Sequence, residues 1–256
     1  MSSILAIHSF RGGTCKSNLS ANLATCLALS GKKVAIFDTD LASPGVHVLF
    51  GFEADASAKY LNDHLQEGVP IRKCAHDVTP QQVRHASGKI LLLPGSMESD
   101  RIAKLLREGY EVEMLNDAMF TLADELKLDY VLVDTHPGIN EETLLSTAIA
   151  YSLLMVMRPD SQDYLGTAVA IEVAQRLDAA DIRLVVNKLP SYFDKESVRD
   201  RVSASYGIPL VALLPLSDDL LTLASSGLAV LEYPNHPWSD GVRALADQLM
   251  VDLSEQ

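Results

Sequence analysis

The chain has 256 residues, 48% apolar and 21% charged, a composition that excludes disorder and collagen-like repeats and suits one large domain or two small ones. Its 21 Lys and Arg against 34 Asp and Glu leave a formal charge of −13, which opposes broad attraction to nucleic acid or anionic lipid unless a local basic patch restores it. The cysteines, Cys15, Cys26 and Cys74, form no C-x-x-C pair, which argues against a disulfide framework or a zinc site within one chain and fits a reducing cytoplasm.

In chain order, runs rich in Ile, Leu and Val at residues 3–10, 33–38, 89–94, 129–134, 151–157, 182–187 and 209–214 are too short for typical helices and predict buried strands. The first lacks a basic leader and is interrupted at His8, and no run reaches the ~18 apolar residues of a membrane span, so the chain reads as neither secreted nor integral. Helical spacing separates the strands: Leu19, Leu23 and Leu27; Met114, Ala118 and Leu122; Ile171, Ala174 and Leu177. After Trp238, the series Val242, Leu245, Leu249 and Leu253 has Asp247, Asp252 and Glu255 beside Arg243, which predicts a core-packing helix rather than a basic membrane-surface one. Residues 52–88 are the least regular and predict a short helix around 58–66, then a loop or edge strand. Such alternation predicts a single α/β domain over residues 1–256, with a mainly parallel twisted sheet of about seven or eight strands, helices on both faces, and ligands beyond the strands' carboxyl ends.

After the first strand comes Phe10-Arg11-Gly12-Gly13-Thr14-Cys15-Lys16-Ser17, and then a helix. This is the position of a phosphate loop. Two glycines let the backbone curl, N–H groups and the helix N-terminus face an anion, Lys16 reaches phosphate oxygens, and Ser17 offers a hydroxyl to Mg²⁺. The strict G-x-x-x-x-G-K-[ST] pattern is missed at Phe10 and Cys15. Two strands end in acids, at Asp38-Thr39-Asp40 and at Asp134-Thr135-His136-Pro137-Gly138. Each aims a carboxylate at the same crevice, as needed to hold a metal beside a triphosphate.

These motifs resemble the ParA/MinD family of deviant Walker ATPases, a P-loop NTPase fold. The likeness extends to Ser43-Pro44-Gly45, to Val185-Val186-Asn187-Lys188, and to Leu214-Pro215-Leu216-Ser217-Asp218. The resemblance implies a homodimer driven by ATP and Mg²⁺ and separated by hydrolysis to ADP, with a protein partner or activator. It assigns the phosphates to Gly12, Gly13, Thr14, Cys15, Lys16 and Ser17, the metal to Ser17, Asp38 and Asp134, and the attacking water to Asp40. Adenine would fall to Asn187 and the Pro215 region, with Leu216 and Asp218, and Asn18 is counted among the nucleotide-binding residues. The family's lysine that crosses the dimer falls on Arg11, whose planar fork suits phosphate and could act in trans with Lys16 and Asp40 in catalysis. Cys15 stands where the family has Gly; if the backbone there is left-handed, a side chain costs about 1–3 kcal/mol.

Two alternatives stand beside an ATPase that positions, segregates or recruits cargo: a nucleotide-binding scaffold without hydrolysis, and a metal-centre maturation ATPase of the same superfamily, which the missing C-x-x-C disfavours. His136 reads as a solvent-facing loop residue, His8 as a satisfied strand histidine, and His47, His64, His76 and His85 as scattered surface residues without metal spacing. Arg176, Arg183, Lys188, Lys195, Arg199 and Arg201 read as a solvated face rather than a nucleic-acid surface.

Overall fold

The computed structural model describes residues 2–55, 57–139, 149–179, 181–223 and 225–254. The strands are β1 (Ser3–His8), β2 (Lys33–Asp38), β3 (His76–Asp77), β4 (Lys89–Leu93), β5 (Tyr130–Asp134), β6 (Ser152–Met157), β7 (Ile182–Leu189) and β8 (Leu210–Pro215). They form one eight-stranded sheet in the order β3-β4-β2-β5-β1-β6-β7-β8. Every pairing is parallel except β3 with β4. All seven apolar runs are strands, and the edge strand expected within residues 52–88 is the short β3.

β1 lies between β5 and β6 and is buried on both faces, which is why it reads as a continuous apolar run rather than an alternating one. Its residues divide by parity. Leu5 and Ile7 join one core layer with Leu19, Leu23 and Leu27 of α1 (Lys16–Leu29). Ile4 and Ala6 join the opposite layer with Leu115, Met119 and Leu122.

Four short helices follow: α2 (Val46–Leu49), α3 (Leu61–Glu67), α4 (Gln81–His85) and α5 (Ser99–Glu108). Helix α3 is the one expected around 58–66. The longer α6 (Val112–Leu126) and α7 (Ser161–Arg176) carry the Met114 series and Ile171 with Ala174, whereas Leu177 is the exposed residue that ends α7. Asp160 caps α7 by accepting from the backbone N–H groups of Gln162 and Asp163, at 3.1 and 3.0 Å, which sets the start of that helix beyond β6. Next come α8 (Lys195–Tyr206), α9 (Asp218–Leu223), α10 (Ala229–Glu232) and α11 (Pro237–Ser254). In α11, Trp238, Val242, Leu245 and Leu249 are buried in the same layer as α1, as a core-packing helix requires; the side chain of Leu253 lies outside the described set. Among the described residues, no helix is long and apolar enough to cross a membrane.

Candidate functional site

The segment between β1 and α1 passes over the carboxyl end of the sheet's central strand. Gly13 has φ +80°, and Cys15 has φ 64° and ψ 40°, so the conditional strain on Cys15 is realised: a side chain sits in the left-handed region. No side chain caps α1, which leaves its first-turn N–H groups to an anion. The loop is braced from below by Asn187. Its amide nitrogen donates to the carbonyl of Thr14 at 2.9 Å, while its oxygen accepts from Trp238 Nε1 at 3.1 Å and from the Lys188 backbone N–H at 2.9 Å. Lys16 is buried, and its ammonium has no hydrogen bond or ion pair among the described residues.

Parallel pairing of β2 with β5 places Asp38 opposite Asp134. Asp134 accepts from the hydroxyls of Ser17 at 2.6 Å and Ser20 at 2.8 Å. With its proton committed there, Ser17 Oγ keeps its lone pairs for a cation. Asp38 Oδ2 accepts from the backbone N–H groups of Gly45 and Val46, both at 3.0 Å, whereas Oδ1 is buried without a partner. Burial first, then repulsion from Asp134, pushes Asp38 well above the usual carboxylate range. Burial also raises Asp134, against the opposing pull of Lys16 and the two serines. Asp134 thus links Ser17, by a hydrogen bond, to Asp38, by strand register, and the orphaned Asp38 oxygen with the free lone pairs of Ser17 is a donor set of the kind a hard divalent cation takes.

Asp40 stands beside this pair. His136 lies in a loop with its side chain 40% exposed, as expected, but it also places Nδ1 2.7 Å from Asp40 Oδ1, which the sequence reading did not foresee. His8 is the satisfied strand histidine expected: Thr135 Oγ1 donates to the Ile7 carbonyl at 3.0 Å, and so accepts from His8 Nδ1 at 2.8 Å. Burial, aided by Lys16, lowers the His8 pKa to about 3. Arg11 donates to Gln162 in the first turn of α7.

One charged residue escaped the sequence reading. Arg158 follows β6, and Asp163 holds its guanidinium through Nε and Nη2, each 3.1 Å from a carboxylate oxygen. Its Nη1 lies 4.0 Å from where a Cβ on Gly13 would stand. The available signal was the one used for Asp134, a charge immediately after an apolar strand.

Beside the loop, a 160 Å³ cleft is lined by Cys15, Asn18, Asn187, Pro215, Leu216 and Trp238, among others. The expected base-binding residues therefore meet in one place, except Asp218, which opens α9 and does not line the cleft. No group of three or more His, Cys, Asp and Glu that could hold a metal occurs among the described residues. Of the four histidines read as surface residues only His85 is exposed: His64 Nδ1 meets the Val69 carbonyl and His76 Nε2 the Lys59 carbonyl, at 2.7 Å each, and His47 Nδ1 is buried. Of the basic residues in the later half, Arg183 pairs with Asp181 and Asp252, and Arg176 with Glu172.

A model of the ParA family, described as NUBPL iron-transfer P-loop NTPases, matches residues 1–250. An uncharacterised ATP-binding protein of Methanocaldococcus jannaschii is 27% identical, covering 98% of this chain and 88% of its own. An iron-sulfur cluster carrier protein of Clostridium perfringens is also 27% identical, over 88% of this chain and 80% of its own. The fold matches the septum site-determining protein MinD of Pyrococcus horikoshii, solved with Mg-ADP, at a TM-score of 0.79 and 21% identity, over 97% of this chain and 96% of that one. With a phosphate loop leading into α1, two strand-end acids at its mouth and a family match over nearly the whole length, the chain belongs to the ParA family of P-loop NTPases.

Proposed function

We propose that the chain is an ATP-driven switch that binds ATP with magnesium, pairs with a second copy, and hydrolyses ATP to ADP and phosphate to position, segregate or recruit a macromolecular cargo. The observation that carries this reading is Lys16, a largely buried residue with no hydrogen bond or ion pair among the described residues, beside two buried acids, one with an orphaned oxygen. Such an arrangement is costly unless a polyanion and a cation complete it. Ser17, Asp38 and Asp134 would hold magnesium, which neutralises phosphate charge when bound. Lys16 and the loop N–H groups take the phosphates, and the cleft at Asn18, Pro215 and Leu216 takes the base. Asp40 orients water, and Arg11, once released from Gln162, faces the phosphates held by the other copy; such arginines are worth about 10³–10⁵ in rate.

Asp40→Ala is expected to abolish turnover while sparing ATP binding, and persistent turnover would remove that assignment. Size-exclusion chromatography with ATP, with ADP and without nucleotide tests the switch, which an unchanging elution volume would exclude.

The left-handed Cys15 favours a second reading, a nucleotide-binding scaffold with impaired hydrolysis. Activity that appears only in Cys15→Gly would support it. Carriage of a metal cluster, the role named for some relatives, finds less support. Burial pushes the Cys26 and Cys74 thiols up to about 12 and 11, which leaves Cys15 as the exposed one. A cluster would have to be shared between two copies, and metal analysis of the purified protein tests that.

A further inference from the structure

We propose that His136 is a positioning residue for Asp40, pinning one carboxylate oxygen so that the other is already aimed at the attacking water; this rests on the reading of Asp40 given above. Asp38 and Asp134 are register partners on adjacent strands, and Asp40 and His136 each lie two residues further on. The sheet's hydrogen bonding continues past the strand ends. Thr39 donates to the Asp134 carbonyl through both its backbone N–H and its hydroxyl, at 3.0 Å each, and the Thr135 N–H donates to the Ile7 carbonyl at 3.2 Å. Both segments are thereby fixed before Asp40 and His136 are reached. Pro137 restricts His136 further, because a following proline disfavours helical backbone and favours the extended region.

A carboxylate only accepts, so the 2.7 Å contact requires a proton on His136 Nδ1. The His136 side chain is 40% exposed, but the contact differs from a mobile surface ion pair because the Asp40 side chain is only 15% exposed and the backbone leading to His136 is held by the sheet through Thr135. An unrestrained carboxylate samples several side-chain rotamers and must be ordered in each turnover. Fixing one oxygen removes that cost from the chemical step without adding a contact to the nucleotide. The expected signature is therefore a change in kcat with little change in KM.

The test is steady-state ATP hydrolysis by the full chain, in both the native and the Cys15→Gly background. His136→Ala should lower kcat about tenfold or more, with KM for ATP within about twofold. His136→Asn, whose amide reaches the Nδ1 position, should retain most of the rate, whereas His136→Gln, whose donor lies one bond further out, should not. Nitrogen-15 spectra of the imidazole supply a readout independent of turnover and of the alanine variant's folding: Nδ1 should be protonated in the native protein and lose that preference in Asp40→Ala.

Unchanged or raised kcat in His136→Ala, equal loss in the Asn and Gln variants, or an Nδ1 without a proton would each overturn the proposal. Retention of turnover by Asp40→Ala would instead sink the reading of Asp40 itself.

Discussion

The ring of Phe10 occupies the notch left by the missing side chain of Gly166: a Cβ built on that glycine would stand 2.0 Å from Phe10 Cδ1 and 2.4 Å from Cε1. Phe10 takes the place of the phosphate-loop pattern's first glycine and ties the loop to α7, the helix that also holds Arg11 through Gln162 and Arg158 through Asp163. Gly166→Ala must displace the ring, at about 1–3 kcal/mol, the usual cost of overpacking. Thermal melting should show a fall of roughly 2–4 °C for each kcal/mol, and calorimetry a weaker affinity for ATP. An unchanged melting temperature would mean that the ring does not need the notch.

Cys15→Gly relieves a side chain held at φ 64°. Glycine adopts this region freely but loses more entropy on folding, so the net gain should be about 0.5–1 kcal/mol, with nucleotide affinity equal or higher. Cys15→Val, branched at Cβ, should shift both in the other direction. Denaturant melts and ATP titrations of the three proteins check the order.

The raised pKa of Asp38 has a sign. With the folded-state value above the unfolded one, protonation favours the native state, and this contribution is lost as pH rises through the folded value. At neutral pH the nucleotide-free protein therefore carries the cost of two adjacent buried acids. Asp38→Asn removes the buried acid whose ionisation is disfavoured beside Asp134 and should raise the melting temperature by a few degrees, while ATP binding loses its dependence on magnesium. A lower melting temperature in nucleotide-free Asp38→Asn would contradict the electrostatic account.

His8 acts in the opposite sense on acidification. Its folded value of about 3 lies below the ordinary 6.5, so the unfolded chain takes up a proton first and stability is lost as pH falls below 6.5. Between pH 7 and 5 the loss through this residue should be about 2 kcal/mol. His8→Asn retains a donor for Thr135 and should flatten the profile over that interval. Chemical denaturation of both proteins at several pH values gives the comparison, and parallel profiles would show that His8 does not titrate as its burial requires.

Much of this was written in the sequence because the sheet is parallel and buried. Strands such as Tyr130–Asp134 are apolar on both faces, and the acid that ends them is conspicuous. Helix α5 was missed although Ile102, Leu105 and Leu106 repeat at helical spacing, because the stripe is only ten residues long, set in a charged background, and buries only Leu105. The two-residue β3 is held by its pairing with Leu91 and Leu92 on β4 and has no pattern of its own. At the site, roles that depend on local order could be read, such as Lys16 and Ser17 at the start of a helix. Roles created by distant contacts could not. His136 meets Asp40 across 96 positions, and Arg158 is turned toward Gly13 by a helix that begins after it.

The Thr14 carbonyl, the Asn187 amide and the Trp238 indole form one continuous line from the mouth of the sheet to the last helix. The tail of the chain is therefore a keel for the nucleotide loop rather than an appendage. Whatever tilts the first turn of α11 pulls on the same rope that sets the curvature of residues 12–15.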